Sequence, residues 1–176
     1  RSIPGVRIYD FVQNQEISLP SLYGVPGFLS PDGTQLILPE VARDETGMNP
    51  HLQIIDLATR QSTSLSTAAD RVSEQMAAWR PDGRAIVIAR RNLSNGNGGD
   101  QLYLVDAATL QTRPLIMDMN YVNEFFSWDP EGVRIIIQRS PRNEFETSAP
   151  GIWMYNTGTN QLLLVAANAF NPRWVP

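Results

Sequence analysis

His51 is the only histidine among the 176 residues, so every imidazole role falls to it. It follows Asn49-Pro50 and lies close in sequence to Asp44 and Glu45, a neighbourhood that suits a metal ligand or a base oriented by a carboxylate. No nucleophile or second imidazole accompanies it, so the expectation is an exposed residue at a loop edge. Cys is absent, which excludes disulfides, thiolate nucleophiles and zinc knuckles. Lys is absent too, and with all 14 basic residues Arg, Schiff-base chemistry and a P-loop lysine are excluded. One histidine cannot build a multi-histidine metal site, and no Gly-x-Ser-x-Gly elbow occurs. No catalytic residue, metal ligand or cofactor is therefore assigned.

The remaining candidates bind rather than react. Gly96-Asn97-Gly98-Gly99-Asp100-Gln101-Leu102 resembles one calcium-binding nonapeptide, with Asn95 in place of its first Gly. Such sites share ligands between stacked turns, and a single copy reads as a strand connection. Arg43, Arg90-Arg91 and Arg139-Ser140-Pro141-Arg142 offer bidentate groups for carboxylate or phosphate. Solvated loop charges paired with Asp44, Asp100, Glu144 and Glu146 are the plainer expectation. Tyr121, Phe125 and Phe126 form an aromatic cluster outside any regular spacing. A net charge of −4 argues against a nucleic-acid partner. The longest apolar run, Leu162 to Ala167, is far short of the ~20 residues that span a bilayer, so no membrane insertion is expected. Residues 1–30 show no basic segment followed by an apolar one.

The elements that must position these residues emerge from internal repetition. Phe28-Leu29-Ser30-Pro31-Asp32-Gly33 recurs as Ala78-Trp79-Arg80-Pro81-Asp82-Gly83 and as Ser127-Trp128-Asp129-Pro130-Glu131-Gly132, and Arg173-Trp174-Val175-Pro176 begins another copy. The motif prolines are 50, 49 and 46 residues apart. A second unit lies between them: Val6 to Asp10, Leu52 to Asp56, Leu102 to Asp106 and Ile152 to Asn156. Pro-Asp-Gly joins two antiparallel strands tightly, and the segments after it are rich in the aliphatic and β-branched residues of buried strands. Each repeat thus predicts a four-stranded antiparallel meander, and four short strands per 40–50 residues predict the blades of an all-β propeller. The expected division of the single segment 1–176 is a half blade at 1–20, blades at 21–69, 70–119 and 120–167, and the start of another at 168–176.

These motifs resemble the TolB-like propeller family, which is related to WD-type propellers but marked by a Trp-Ser-Pro-Asp-Gly hairpin. Asp100 to Asp106 is similar to the family's Asp-Ile-Tyr-Val-Met-Asp strand, and Asn171-Pro172-Arg173-Trp174 to its Pro-x-Trp lead-in. Glu74, five residues before Trp79, stands where the family usually has Asp, and Asn123 holds that place before Trp128. Leu29 replaces the first Trp, and Arg80 and Asp129 replace the motif Ser. The resemblance implies a non-catalytic, envelope-associated scaffold that binds a protein partner, hence a periplasmic or extracellular location. It leaves two alternatives: a substrate-gating propeller of a larger prolyl-oligopeptidase-like hydrolase, and a glycan-binding propeller.

In a four-stranded meander the first and third turns share one end of the blade, and the second turn and the blade-to-blade connection share the other. The first end carries short Pro-Asp-Gly and Asp-x-x-Thr turns. The other carries the long stretches Glu40 to Pro50, Arg91 to Gly99 and Ser140 to Pro150, where recognition is expected to sit. The expected contacts are Arg91, Arg142, Asp44, Glu144 and Tyr121. Three and a half blades are also expected to leave the ring incomplete, its completion coming from further blades or a second chain.

Overall fold

The computed structural model describes residues 5–21, 24–44, 47–94, 98–144 and 149–174, the side chains of residues 42–44 and 144 excepted. An opening hairpin pairs β1 (Gly5–Asp10) with β2 (Gln15–Pro20). The first blade is β3 (Phe28–Leu29), β4 (Gln35–Asp44), β5 (Gly47–Asp56) and β6 (Ser62–Ser64). The second is β7 (Val72–Trp79), β8 (Ala85–Asn92), β9 (Gln101–Asp106) and β10 (Thr112–Ile116), and the third β11 (Tyr121–Trp128), β12 (Arg134–Pro141), β13 (Gly151–Asn156) and β14 (Gln161–Ala166). Within each blade the strands lie in chain order and pair antiparallel, as a meander requires. The architecture is that of a β-propeller whose ring is not closed.

Two local devices, each repeated, set the hairpins. In the first, the carbonyls of Ser30, Arg80 and Asp129 accept from the N–H of Gly33, Gly83 and Gly132 at 2.9, 2.9 and 3.0 Å. Those glycines have φ of 72°, 71° and 67°, which a side chain tolerates poorly. In the second, one side-chain oxygen caps its own turn. Asp56 Oδ1 accepts from the N–H of Ala58 and Thr59 and from the Thr59 hydroxyl, and Asp106 repeats this with Ala108 and Thr109. Asp10 and Asn156 cap the turns after β1 and β13 in the same way.

Blades stack through apolar faces that no single sheet can bury alone. Leu19 of the opening hairpin packs with Leu36, Leu38 and Ile55 of the first blade. Ile37, Leu52 and Ile54 meet Ile86, Ile88 and Val105 of the second, and Val87 and Leu102 meet Phe126, Trp128 and Ile137 of the third. The motif tryptophans add a polar clasp. Trp79, Trp128 and Trp174 donate their indole N–H to the carbonyls of Phe28, Ala78 and Ser127, at 3.0, 3.2 and 3.2 Å. Each acceptor lies on the innermost strand of the preceding blade, immediately before its motif position. The recurrence of Trp is therefore a blade-joining device.

The stretch Glu40 to Pro50 departs from expectation. It is not a loop: β4 and β5 stay in register out to Asp44 and Gly47, as a hairpin that outgrows its blade. Pro39 and Pro50 are compatible with this ladder. The N–H and carbonyl of Leu52, opposite Pro39, bond to Glu74 and Leu65, away from β4, so Pro39 has no ladder bond to donate there. Pro50 lies two residues before Leu52 on β5, opposite Val41, and repeats that phase. Likewise β8 and β12 run on to Asn92 and Pro141, so Arg90, Arg91 and Arg139 belong to strands rather than to solvated connections.

Candidate functional site

At the long-loop end of the blades a polar layer crosses the seams. Glu74 and Arg90 are register partners on β7 and β8, and Asn123 and Arg139 hold the same positions on β11 and β12. Glu74 is 0% exposed, yet four donors saturate it. Arg90 gives Oε1 its Nε at 2.7 Å and Nη2 at 2.6 Å, while Oε2 accepts from the Ser66 hydroxyl at 2.7 Å and the Leu52 N–H at 3.3 Å. Since Ser66 and Leu52 belong to the preceding blade, the carboxylate ties the first blade to the second.

His51 completes that layer, and its environment overturns the expectation of an exposed loop-edge residue. It is 3% exposed on β5, with Nδ1 2.8 Å from Ser66 Oγ. The Ser66 hydroxyl donates to Glu74, so in the contact with Nδ1 its Oγ is the acceptor. Nε2 is buried and finds no hydrogen-bond partner among the described residues. Serine, histidine and glutamate thus meet in the wrong order for nucleophilic catalysis: the hydroxyl sits between imidazole and carboxylate, and the carboxylate is spent on Arg90. The sequence hid this because Ser66 and Glu74 lie 15 and 23 residues beyond His51, on the connection after β6 and on β7.

The second seam solves the same problem with an amide. Asn123 Nδ2 and the Asn123 N–H both donate to the Asp100 carbonyl, at 2.8 and 3.0 Å, and its Oδ1 accepts from Arg139 Nε at 3.0 Å. Arg139, 1% exposed, also donates to Asp118 Oδ2 at 2.8 Å. Its guanidinium lies 4.3 Å from the Tyr121 ring centroid and 5.1 Å from that of Trp153. A buried Arg139 and a partly buried Arg90 replace the solvated charges expected at these positions, and a spacing could have revealed them: each follows its motif Trp by 11 residues.

The expected contact residues fall into two groups. Arg91 and Tyr121 meet at this second seam: Asp100 grips Arg91 through Nε and Nη2 at 3.0 and 3.2 Å, and its carbonyl anchors β11 two residues after Tyr121. Arg142 is half-buried and joins the seam through its N–H, which donates to the Asn120 carbonyl at 2.8 Å. Asp44 ends β4 at the tip of the extended hairpin, and Glu144 ends the short helical turn Arg142–Glu144; their side chains lie outside the described residues. Glu45, Glu146 and residues 95–97 of the glycine-rich stretch lie outside them as well. Among the described residues no group of three acidic, His or Cys side chains is placed to hold a metal ion.

The aromatic cluster separates. Phe126 enters the core, whereas Phe125 is 48% exposed at φ 40°, where β11 slips register against β12. Phe125 lines a hollow of about 670 Å³ with Phe28, Leu29, Met76 and Trp174, along the innermost strands. No described helix is long and apolar enough to cross a membrane.

No family model and no curated protein matches the sequence. Solved structures match its fold. TolB from Acinetobacter baumannii has a TM-score of 0.64 and 19% identity, covering 94% of this chain and 38% of that one. A putative TolB from Agrobacterium tumefaciens has a TM-score of 0.65 and 15% identity, covering 92% and 61%. An oligogalacturonate lyase in complex with manganese has a TM-score of 0.63 and 15% identity, covering 90% and 46%. The chain therefore spans 38% to 61% of the length of these structures. At such identities the likeness concerns the fold alone: the chain is a β-propeller segment with TolB propellers among its structural neighbours.

Proposed function

We propose that this chain is part of a non-catalytic propeller that docks a protein partner on its long-loop end. One observation carries the reading. Met48, Met117 and Met119, on the extended hairpin and the approach to β11, are exposed at 66%, 51% and 49%, above a polar layer fixed by Arg90 and Arg139. Flexible thioethers on a rigid base suit an adaptable protein contact. Arg91 and Tyr121 border this surface, and Arg142, Asp44 and Glu144 extend it. The likeness to TolB propellers supports a periplasmic or extracellular setting. Ring completion by further blades or by a second chain belongs to the same proposal, and light scattering on the protein distinguishes the two by mass.

The test is affinity capture from the source organism with the wild-type protein, with Arg91→Glu/Arg142→Glu and with Met117→Ser/Met119→Ser. A protein retained by wild type and lost with both double variants supports the assignment. Retention unchanged by either, or an α/β-hydrolase domain on the same polypeptide, overturns it.

A further inference from the structure

The opposite end of the second blade carries a feature that the other blades lack. A hollow of about 450 Å³ lies between its two short turns, lined by Arg80, Arg84 and Arg113 with Gln111, Thr112 and Asp106. Arg80 and Arg84 flank the Pro81-Asp82-Gly83 turn, and Arg113 lies on β10 opposite Leu104. The repeat supplies an internal control. At the positions of Arg80, Arg84 and Arg113, the first blade has Ser30, Thr34 and Thr63, and the third has Asp129, Val133 and Leu163. The corresponding hollow of the first blade, lined by Gln35, Gln61 and Thr63 among others, contains no arginine. The turn itself therefore forms without arginine at any of these three positions.

Their partners are few. Arg80 is anchored: Nε donates to the Gly132 carbonyl at 2.9 Å, the guanidinium lies 5.8 Å from the Trp128 ring centroid, and Nη1 is 3.6 Å from Asp82. Arg84 and Arg113 are exposed. Asp106 is the single carboxylate of the lining, and its Oδ1 already serves the N–H groups of Ala108 and Thr109 and the Thr109 hydroxyl. Three cationic forks, against Asp106 in the lining and Asp82 beside Arg80, leave a net positive hollow on a protein of net charge −4. Guanidinium forks match the paired oxygens of carboxylate and phosphate, and a concave site of this kind selects a multiply charged anion over a monovalent one.

We propose that this hollow binds a small ligand bearing a multiply charged oxyanion, with Arg80 as the fixed wall, Arg84 reaching the anion from the end of its turn and Arg113 from β10. The oxygens come from a phosphoryl group or from clustered carboxylates, and the probes separate these sources.

The experiment is calorimetric titration of the full chain with inorganic pyrophosphate and, separately, with citrate, on wild type, Arg84→Ala, Arg113→Ala, both together, and the Arg84→Lys/Arg113→Lys pair. Thr34→Ala/Thr63→Ala at the matching first-blade positions is the control. Saturable one-to-one binding is expected. Each single alanine variant should weaken it roughly 10- to 100-fold, the range for loss of a charge-assisted contact, and the double alanine variant should abolish it. The control should bind like wild type. Arg84 and Arg113 are exposed, so an unchanged thermal melt shows that the variants are folded. Binding of pyrophosphate alone assigns a phosphoryl ligand, binding of citrate alone a carboxylate ligand, and the lysine pair shows whether the fork or only its charge is read. No saturable binding of either probe overturns the proposal, as does binding that survives the double alanine variant. Neither failure touches the long-loop end, which is a separate surface.

Discussion

The seam between the first and second blades and the seam between the second and third place the same strands against each other with opposite chemistry. At the first, every group facing position 74 is a donor: Leu52 N–H, Ser66 O–H and two nitrogens of Arg90. Only a carboxylate accepts from all four. At the second, position 123 meets one acceptor, the Asp100 carbonyl, and one donor, Arg139 Nε. An amide answers both. The arginine charge follows the same division. Glu74 neutralises Arg90 directly, whereas Asn123 leaves Arg139 to Asp118 and the two ring faces of Tyr121 and Trp153. A propeller seam thus fixes the position of its polar residue, and the neighbouring blade's hydrogen-bond inventory selects that residue's type.

Two near-isosteric exchanges should break this comparison unequally. Glu74→Gln leaves one carbonyl oxygen for four donors and an uncompensated Arg90. The expected loss is about 3–5 kcal/mol, in the range for breaking a buried ion pair. Asn123→Asp keeps the acceptor for Arg139 but turns an oxygen onto the Asp100 carbonyl, so a loss of about 1–3 kcal/mol is expected from one misplaced buried group. Urea denaturation of both variants decides the matter. Equal losses, or a larger one for Asn123→Asp, would show that the seams are not distinguished by donor count.

The short-turn end allows an acid-limb comparison of the same kind. Hydrogen bonds from the Thr59 N–H and hydroxyl hold the Asp56 carboxyl below its ordinary value, and Thr109 does the same for Asp106. A carboxyl whose value is depressed in the folded state contributes stability above its unfolded value, near 4, and loses it as pH falls through the folded value. The turn after β13 performs the same capping with Asn156, which does not titrate. Asp56→Asn/Asp106→Asn should therefore fold normally at pH 7 and show a smaller fall in thermal midpoint between pH 5 and pH 2 than wild type. An acid limb of unchanged steepness would place the acid sensitivity elsewhere.

The blades and their turns were legible in the sequence because each rests on a few residues at fixed offsets. The polar layer was not, because its members come together only across strands. His51 gave no sign of Ser66 or Glu74, and Arg90 and Arg139 read as loop charges until β8 and β12 proved longer than their aliphatic cores. The extended β4–β5 hairpin was missed for a related reason: Pro39 and Pro50 look like strand breakers until the ladder phase shows that neither position owes the other strand a hydrogen bond. The arginine hollow was fully present as Arg80, Arg84 and Arg113, but its meaning needed the register that aligns the three blades.

The smallest expected effect concerns the residue that closes each Asp-x-x-Thr-type turn. Asn14, Arg60, Leu110 and Asn160 all adopt positive φ, at 53°, 64°, 59° and 56°. Asn tolerates this region better than Arg or Leu, and the protein already uses it at two of the four places. At both of those a tyrosine five residues earlier, Tyr9 or Tyr155, donates its hydroxyl to the asparagine Oδ1. Ile55 and Val105 stand in the tyrosine place before Arg60 and Leu110, so an asparagine there gains only the backbone relief. Arg60 is exposed, and Arg60→Asn is expected to stabilise by less than about 1 kcal/mol, raising the thermal midpoint by roughly 1–3 °C. Leu110 packs against the cluster around Ile54 and Val105, so Leu110→Asn gives up apolar burial for the same relief and should lower the midpoint. Opposite signs for the two variants would establish that packing, and not turn geometry, keeps leucine in the second blade. A rise for both would show that its contact with the core contributes nothing.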